Sequence, residues 1–107
     1  MMDLPHIAKV FFDADKRNDR DAVVAAFSPH ASVTDEAVDH QGREAIRNWW
    51  TASKEKYQHA TMPIEVVNTA DQIKVRATVT GRFPGSPATL NYTFTVADGK
   101  ITALEIG

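Results

Sequence analysis

Apolar residues recur at helical spacing through the first half of the chain and alternate through the second half, with the switch near residue 60. Ile7, Val10, Phe11 and Ala14 make one apolar face of a helix over residues 5–17, with Phe12 flanking it. Asp3 can cap this helix, and Pro5 sits in its first turn, where a missing N–H costs little. Asn18-Asp19-Arg20-Asp21 breaks the pattern and caps a second helix over residues 20–27, with Ala22, Val23, Ala26 and Phe27 facing inward. Pro29 disfavours its continuation. Residues 31–35 alternate and predict a short strand with Ala31, Val33 and Asp35 on one side, and residues 36–41 form a connection or a brief second strand. Gly42 opens a third helix over residues 43–57, whose buried side holds Ile46, Trp49 or Trp50, Ser53 and Tyr57. Adjacent tryptophans lie about 100° apart around a helix, so one enters the core while the other meets a groove or a subunit contact.

Strands follow over residues 63–70, 72–82, 88–96 and 100–106, the last two joined by the hairpin signal Asp98-Gly99. Ile73, Val75, Ala77 and Val79 alternate with Lys74, Arg76, Thr78 and Thr80, and Leu90, Tyr92, Phe94 and Val96 alternate with Thr89, Asn91, Thr93 and Thr95. One sheet face is therefore apolar and the other rich in threonine. The expected fold class is α+β: N-terminal helices packed on a curved, mostly antiparallel sheet, enclosing a cone. Small β-branched polar residues on the outer face allow a second copy to approach closely, which predicts a homodimer through that face.

With 107 residues, the chain has room for one domain over residues 1–107 with one sizeable core. Its formal charge of −2, with Lys and Arg scattered, gives no footprint for nucleic acid. Cysteine is absent, which excludes disulfides, thiolate metal sites and a cysteine nucleophile. The N-terminus has neither a positive region nor an apolar run, and no segment approaches membrane-spanning length; a cytoplasmic protein without membrane association is expected.

Asp35 is the leading candidate for chemistry. On the cone side of a strand it would be a partly desolvated carboxylate, able to act as general base next to a carbonyl; a turn-capping aspartate is the plainer alternative. His40 lies before the third helix, where it could serve as proton shuttle or as an ordinary capping residue. Tyr92 stands in an apolar strand face, so its phenol either donates to a developing oxyanion or bonds a backbone carbonyl. Phe11, Phe27, Trp50, Tyr57 and Phe94 supply either an aromatic pocket or the core. The four histidines are widely spaced and form no compact ligand motif, so neither metal nor cofactor is expected.

Phe27-Ser28-Pro29-His30-Ala31-Ser32-Val33-Thr34-Asp35, the helix entry His40-Gln41-Gly42-Arg43-Glu44-Ala45-Ile46 and the hairpin Asp98-Gly99-Lys100-Ile101 occur in an order that resembles the SnoaL-like group of the nuclear transport factor 2-like superfamily. The resemblance covers nearly the whole chain and implies an α+β cone, often dimeric through its sheet. Members include ketosteroid isomerases, polyketide cyclases, dehydratases, epoxide hydrolases and non-catalytic domains. In the isomerases an aspartate on the short strand moves the proton while a tyrosine and a neutral acid hold the oxyanion. Asp35 looks like that base, Phe11 falls at the family tyrosine, and Tyr92 falls near the oxyanion acid. The resulting expectation is a domain that binds a small apolar carbonyl compound and isomerises or cyclises it. The alternative is a ligand-binding or protein-association domain without turnover. An open cavity of a few hundred Å³ touching Asp35 favours the first, and a cone plugged by Trp50, Tyr57 and Phe94 favours the second.

Overall fold

The structure, a computed structural model, describes residues 3–107. The expectation of a leader-free N-terminus rests partly on Met1 and Met2, which lie outside the described residues. Three helices, α1 (His6–Lys16), α2 (Arg20–Ala25) and α3 (Gly42–Tyr57), pack against six strands: β1 (Phe27–Asp35), β2 (Val38–Gln41), β3 (Ala60–Asn68), β4 (Gln72–Thr80), β5 (Ala88–Ala97) and β6 (Lys100–Ile106). The strands form one unclosed curved sheet in the order β2-β1-β6-β5-β4-β3, antiparallel except where β1 meets β6. Among the described residues no helix is long and apolar enough to cross a membrane.

The alternating strands bury the side the sequence assigns to the core. Ile73, Val75, Ala77 and Val79 of β4 and Tyr92 and Phe94 of β5 are all buried. On α1, Phe11 packs edge-on against Phe12, Phe27 and Phe94, the geometry preferred by aromatic quadrupoles. Asp19 caps α2 by accepting from the Ala22 N–H at 3.1 Å.

Several boundaries differ from the sequence expectation, and β4 ends at Thr80 rather than at residue 82. Phe27 does not end α2; it starts β1, pairing with Ile101 of β6, while the Ile101 N–H donates to the Ala26 carbonyl at 3.0 Å. Long-range pairing overrides the local helical spacing there. Pro29, which has no N–H for a ladder, falls where the register slips between Phe27 and Ser32. The segment after Asp35 is a true second strand, reached through a two-residue turn with Glu36 and Ala37 at φ 52° and 62°. Strand β3 begins at Ala60, three residues earlier than expected, and tolerates Pro63 because it is a sheet edge.

Candidate functional site

Helices and sheet diverge at one end to leave an open cavity of about 570 Å³. Asp35 reaches it from the end of β1, where Ala31 and Val33 on the same face are fully buried. In an extended chain Glu36 would point to the opposite side. The positive φ at Glu36 and Ala37 turns the backbone, and both carboxylates border the cavity. Tyr92 enters from β5, and Trp49, Trp50 and Tyr57 from α3. Both tryptophans therefore line the cavity, although the sequence suggested that only one would face inward.

Each of three carboxylates is held by an aromatic donor. Trp49 donates its indole N–H to Asp35 Oδ2 at 2.9 Å, Trp50 donates to Asp15 Oδ1 at 2.8 Å, and the Tyr57 hydroxyl donates to Glu36 Oε1 at 2.7 Å. Asp15 lies on α1, is only 6% exposed, and also accepts from Lys54 Nζ at 3.1 Å. Lys54 donates in turn to the His59 carbonyl at 3.1 Å, tying the last turn of α3 to the start of β3. A charge so deeply placed needs such pairing, because an unpaired carboxylate in this position would be strongly desolvated.

His59 also borders the cavity. Burial, then the nearby Lys54 charge, pull its imidazole below the usual histidine range, opposed by Asp15, Asp35 and the Ser53 backbone. Its Nδ1 is buried without a hydrogen-bond partner. Burial likewise pushes the Tyr92 phenol up to about 12, opposed by the Thr61 hydroxyl and reinforced by the charges of Asp15 and Asp35. The Thr61 hydroxyl lies beside that of Tyr92, and its oxygen is buried without a hydrogen bond of good geometry. Tyr92 is accordingly a neutral donor across the physiological range.

Of the residues singled out from sequence, Asp35, Tyr92, Phe11, Trp50 and Tyr57 come together on the cavity wall. Phe27 and Phe94 do not reach it; both are fully buried in the layer behind. His40 also lies outside the lining, its ring 6.2 Å from that of Trp49. Sequence reasoning missed Asp15, Trp49 as a carboxylate donor, and His59. Asp15 carried one available signal: it sits one residue after Ala14 on the inward-turning side of an amphipathic helix, beside the apolar stripe.

Three helices laid across a curved sheet around a blind cavity define the nuclear transport factor 2-like fold class. The model of the SnoaL-like domain matches residues 8–104, and the chain belongs to that family. A Sinorhizobium meliloti protein proposed to be a polyketide cyclase is similar at 50% identity and TM-score 0.97, over 99% of this chain and 97% of that one. A Catenulispora acidiphila protein with a ketosteroid isomerase-like fold, solved in complex with trimethylamine, shares 17% identity at TM-score 0.86, over 98% and 86% of the two chains. A Xanthomonas campestris protein, also proposed to be a polyketide cyclase, shares 19% identity at TM-score 0.82, over 94% and 86%. No protein of curated function matches the sequence.

Proposed function

We propose that this chain binds a small, largely apolar carbonyl compound and catalyses its isomerisation or cyclisation, with Asp35 as general base and Tyr92 as oxyanion donor. One observation carries the reading: both groups border the same open cavity. The Asp35 carboxylate takes a proton from the carbon next to the carbonyl. The C–H electron pair moves into a carbon–carbon double bond as the carbonyl pair moves onto oxygen, and the Tyr92 hydroxyl bonds that oxygen. In isomerisation Asp35 returns the proton to a different carbon. In aldol-type cyclisation the enolate carbon attacks a second carbonyl, and the new alkoxide takes the proton back.

By the family resemblance Phe11 falls at the isomerases' tyrosine; phenylalanine cannot donate, which leaves the anion to Tyr92. Losing one oxyanion donor typically costs about 10²–10³ in rate. Tyr92→Phe should therefore reduce turnover by that order while weakening ligand binding far less. Asp35→Asn keeps the size of the base but removes its basicity. The test is deuterium uptake by enolisable ketones, followed by NMR with wild type and both variants. Wild-type exchange that survives Asp35→Asn rules out this mechanism. Ligand binding by wild type with no exchange of any ketone moves the assignment to a binding domain without turnover.

A homodimer through the outer sheet face accompanies this reading. Met62, Ile64 and Val67 stand exposed on β3, beside the threonines of β4 and β5. Sedimentation across a wide concentration range tests it, and a persistent monomer excludes it.

A further inference from the structure

The cavity wall is unevenly charged. Among the described residues three side-chain carboxylates, Asp15, Asp35 and Glu36, border it, and no Lys or Arg does. Lys54 approaches from outside the lining and is spent on Asp15, whose two oxygens are both occupied. Asp35 and Glu36 each have only one oxygen engaged, and the donors are uncharged: an indole N–H and a phenol O–H. Their remaining oxygens, Oδ1 and Oε2, make no hydrogen bond to a side chain among the described residues. Burial and the Lys54 charge disfavour the protonated form of His59, so it is a poor source of compensating charge. Lys56 lies over the Tyr57 ring at 5.0 Å and feels the Glu36 charge; exposed and outside the lining, it offsets Glu36 only through solvent and leaves Asp35 without a cation.

Around these two free carboxylate oxygens the wall is aromatic. Trp49 holds Asp35, Tyr57 holds Glu36, and Phe83 packs against Tyr57 with ring centroids 5.8 Å apart; all three rings border the cavity. The faces of such rings carry negative electrostatic potential, so they attract a cation electrostatically in addition to the apolar contact they offer any group. At depth, Tyr92 is 6% exposed and borders the cavity, with the Thr61 hydroxyl beside its own. The site thus has a negative, aromatic rim and a neutral donor at its base.

We infer that the ligand is an apolar amine carrying a cationic nitrogen, which sits at the Glu36 rim against Trp49 and Tyr57 while its uncharged acceptor end reaches Tyr92. This rests on the reading of the cavity as the substrate site and narrows the substrate to an amine-bearing carbonyl compound. Carboxylate and phosphate ligands are disfavoured by the same field: they would enter beside the half-buried Asp35, which no cation offsets, and the exposed Glu36, which only the exposed Lys56 offsets.

The only two tryptophans of the chain both border the cavity, so intrinsic fluorescence reads its occupancy directly. The probes are benzyltrimethylammonium, its uncharged carbon isostere neopentylbenzene, and phenylacetate. The cation should bind about tenfold or more tightly than the isostere, and phenylacetate should not bind measurably. Glu36→Gln and Asp35→Asn should each weaken the cation several-fold and leave the isostere unchanged. Should either variant fail to fold, wild type alone still decides the matter, because added salt should weaken the cation and not the isostere. Equal affinity for cation and isostere, cation binding indifferent to salt, or no binding of any probe overturns the inference. A protein that exchanges ketone protons but does not prefer the cation fails here only. A protein that prefers the cation but exchanges nothing fails only the catalytic reading.

Discussion

The Trp49 indole N–H donates to Asp35 Oδ2 at 2.9 Å, fixing the carboxylate that faces the cavity while leaving its other oxygen free. A base in a cavity this wide must be held, because misplacement by about 1 Å can cost 10²-fold in rate. Trp49→Phe keeps an aromatic wall and deletes the donor. Turnover should fall about tenfold or more, with KM little changed. Unfolding in urea should show a loss of about 1.5–3 kcal/mol, the usual worth of a hydrogen bond to a charged group. Unchanged kcat in Trp49→Phe would show that Asp35 is held by something else.

Asp15 and Lys54 form an ion pair with side chains only 7% and 12% exposed. Breaking a buried pair strands the partner, so Asp15→Ala should cost about 3–5 kcal/mol. Asp15→Asn retains an acceptor for the Trp50 N–H and should cost less. Replacing both residues together, as Asp15→Leu with Lys54→Met, removes both charges and should recover much of the loss. Denaturant unfolding of the three variants checks this order, and a double variant as unstable as Asp15→Ala contradicts it.

These two residues also show what the sequence could and could not convey. The inward placement of Ala31, Val33 and Asp35 follows from strand parity alone, and the structure has it so. The alternation of β4 and β5 likewise announces which face is buried. What a linear pattern cannot show is which partner an inward polar group meets. Asp15 is 35 residues from Trp50 and 39 from Lys54, and Trp49 is 14 from Asp35. Only the docking of α3 over α1 and β1 brings them together. The start of β1 is hidden for a related reason: Phe27 has a helical neighbourhood, and its strand character comes from Ile101, 74 residues away. Phe27 and Phe94 lie behind the cavity rather than on it, because period and polarity mark a buried face without giving depth within it.

Gly81 follows β4 where the chain passes under the end of α3. A Cβ built there would lie 2.7 Å from the Tyr57 carbonyl oxygen and 2.9 Å from His59 Cα. Both neighbours are backbone and cannot swing aside. The Arg82 N–H also donates to the Tyr57 carbonyl at 2.6 Å, so the corner is fixed from two sides. Gly81→Ala should destabilise by about 1–3 kcal/mol, as overpacking does. Because Tyr57 and His59 border the cavity, ligand affinity should fall with it. Thermal unfolding and probe titration test the pair; an alanine variant with wild-type values for both would refute this account of the corner.

The His59 imidazole is held below its ordinary range in the folded protein, so the unfolded chain binds its proton more readily. Stability from this residue is fully present above about pH 6.5, the unfolded value, and is lost as pH falls from there through the lowered folded value. His59→Asn should flatten that part of the stability profile. Urea unfolding at several pH values between about 4 and 8, compared with the variant, measures it. A slope equal in both proteins would assign the acid sensitivity to other groups.

Tyr92 supplies the alkaline counterpart. Its folded value of about 12 stands above the ordinary value of 10.0 because burial penalises the phenolate. Between these values the unfolded chain releases the phenolic proton and the folded chain keeps it. The folded state therefore binds more protons than the unfolded one, and stability falls as pH rises from about 10, levelling off beyond about 12. The full effect of a two-unit shift is about 2–3 kcal/mol. The chain has only two tyrosines, so Tyr57→Phe leaves Tyr92 as the sole phenol to titrate. Absorbance at the phenolate band in this variant should show a midpoint near 12 while the protein stays folded, and bound ligand accepting from the hydroxyl should raise it further. A midpoint near 10 would mean that Tyr92 is solvated, and the neutral, desolvated donor on which the oxyanion assignment depends would be lost.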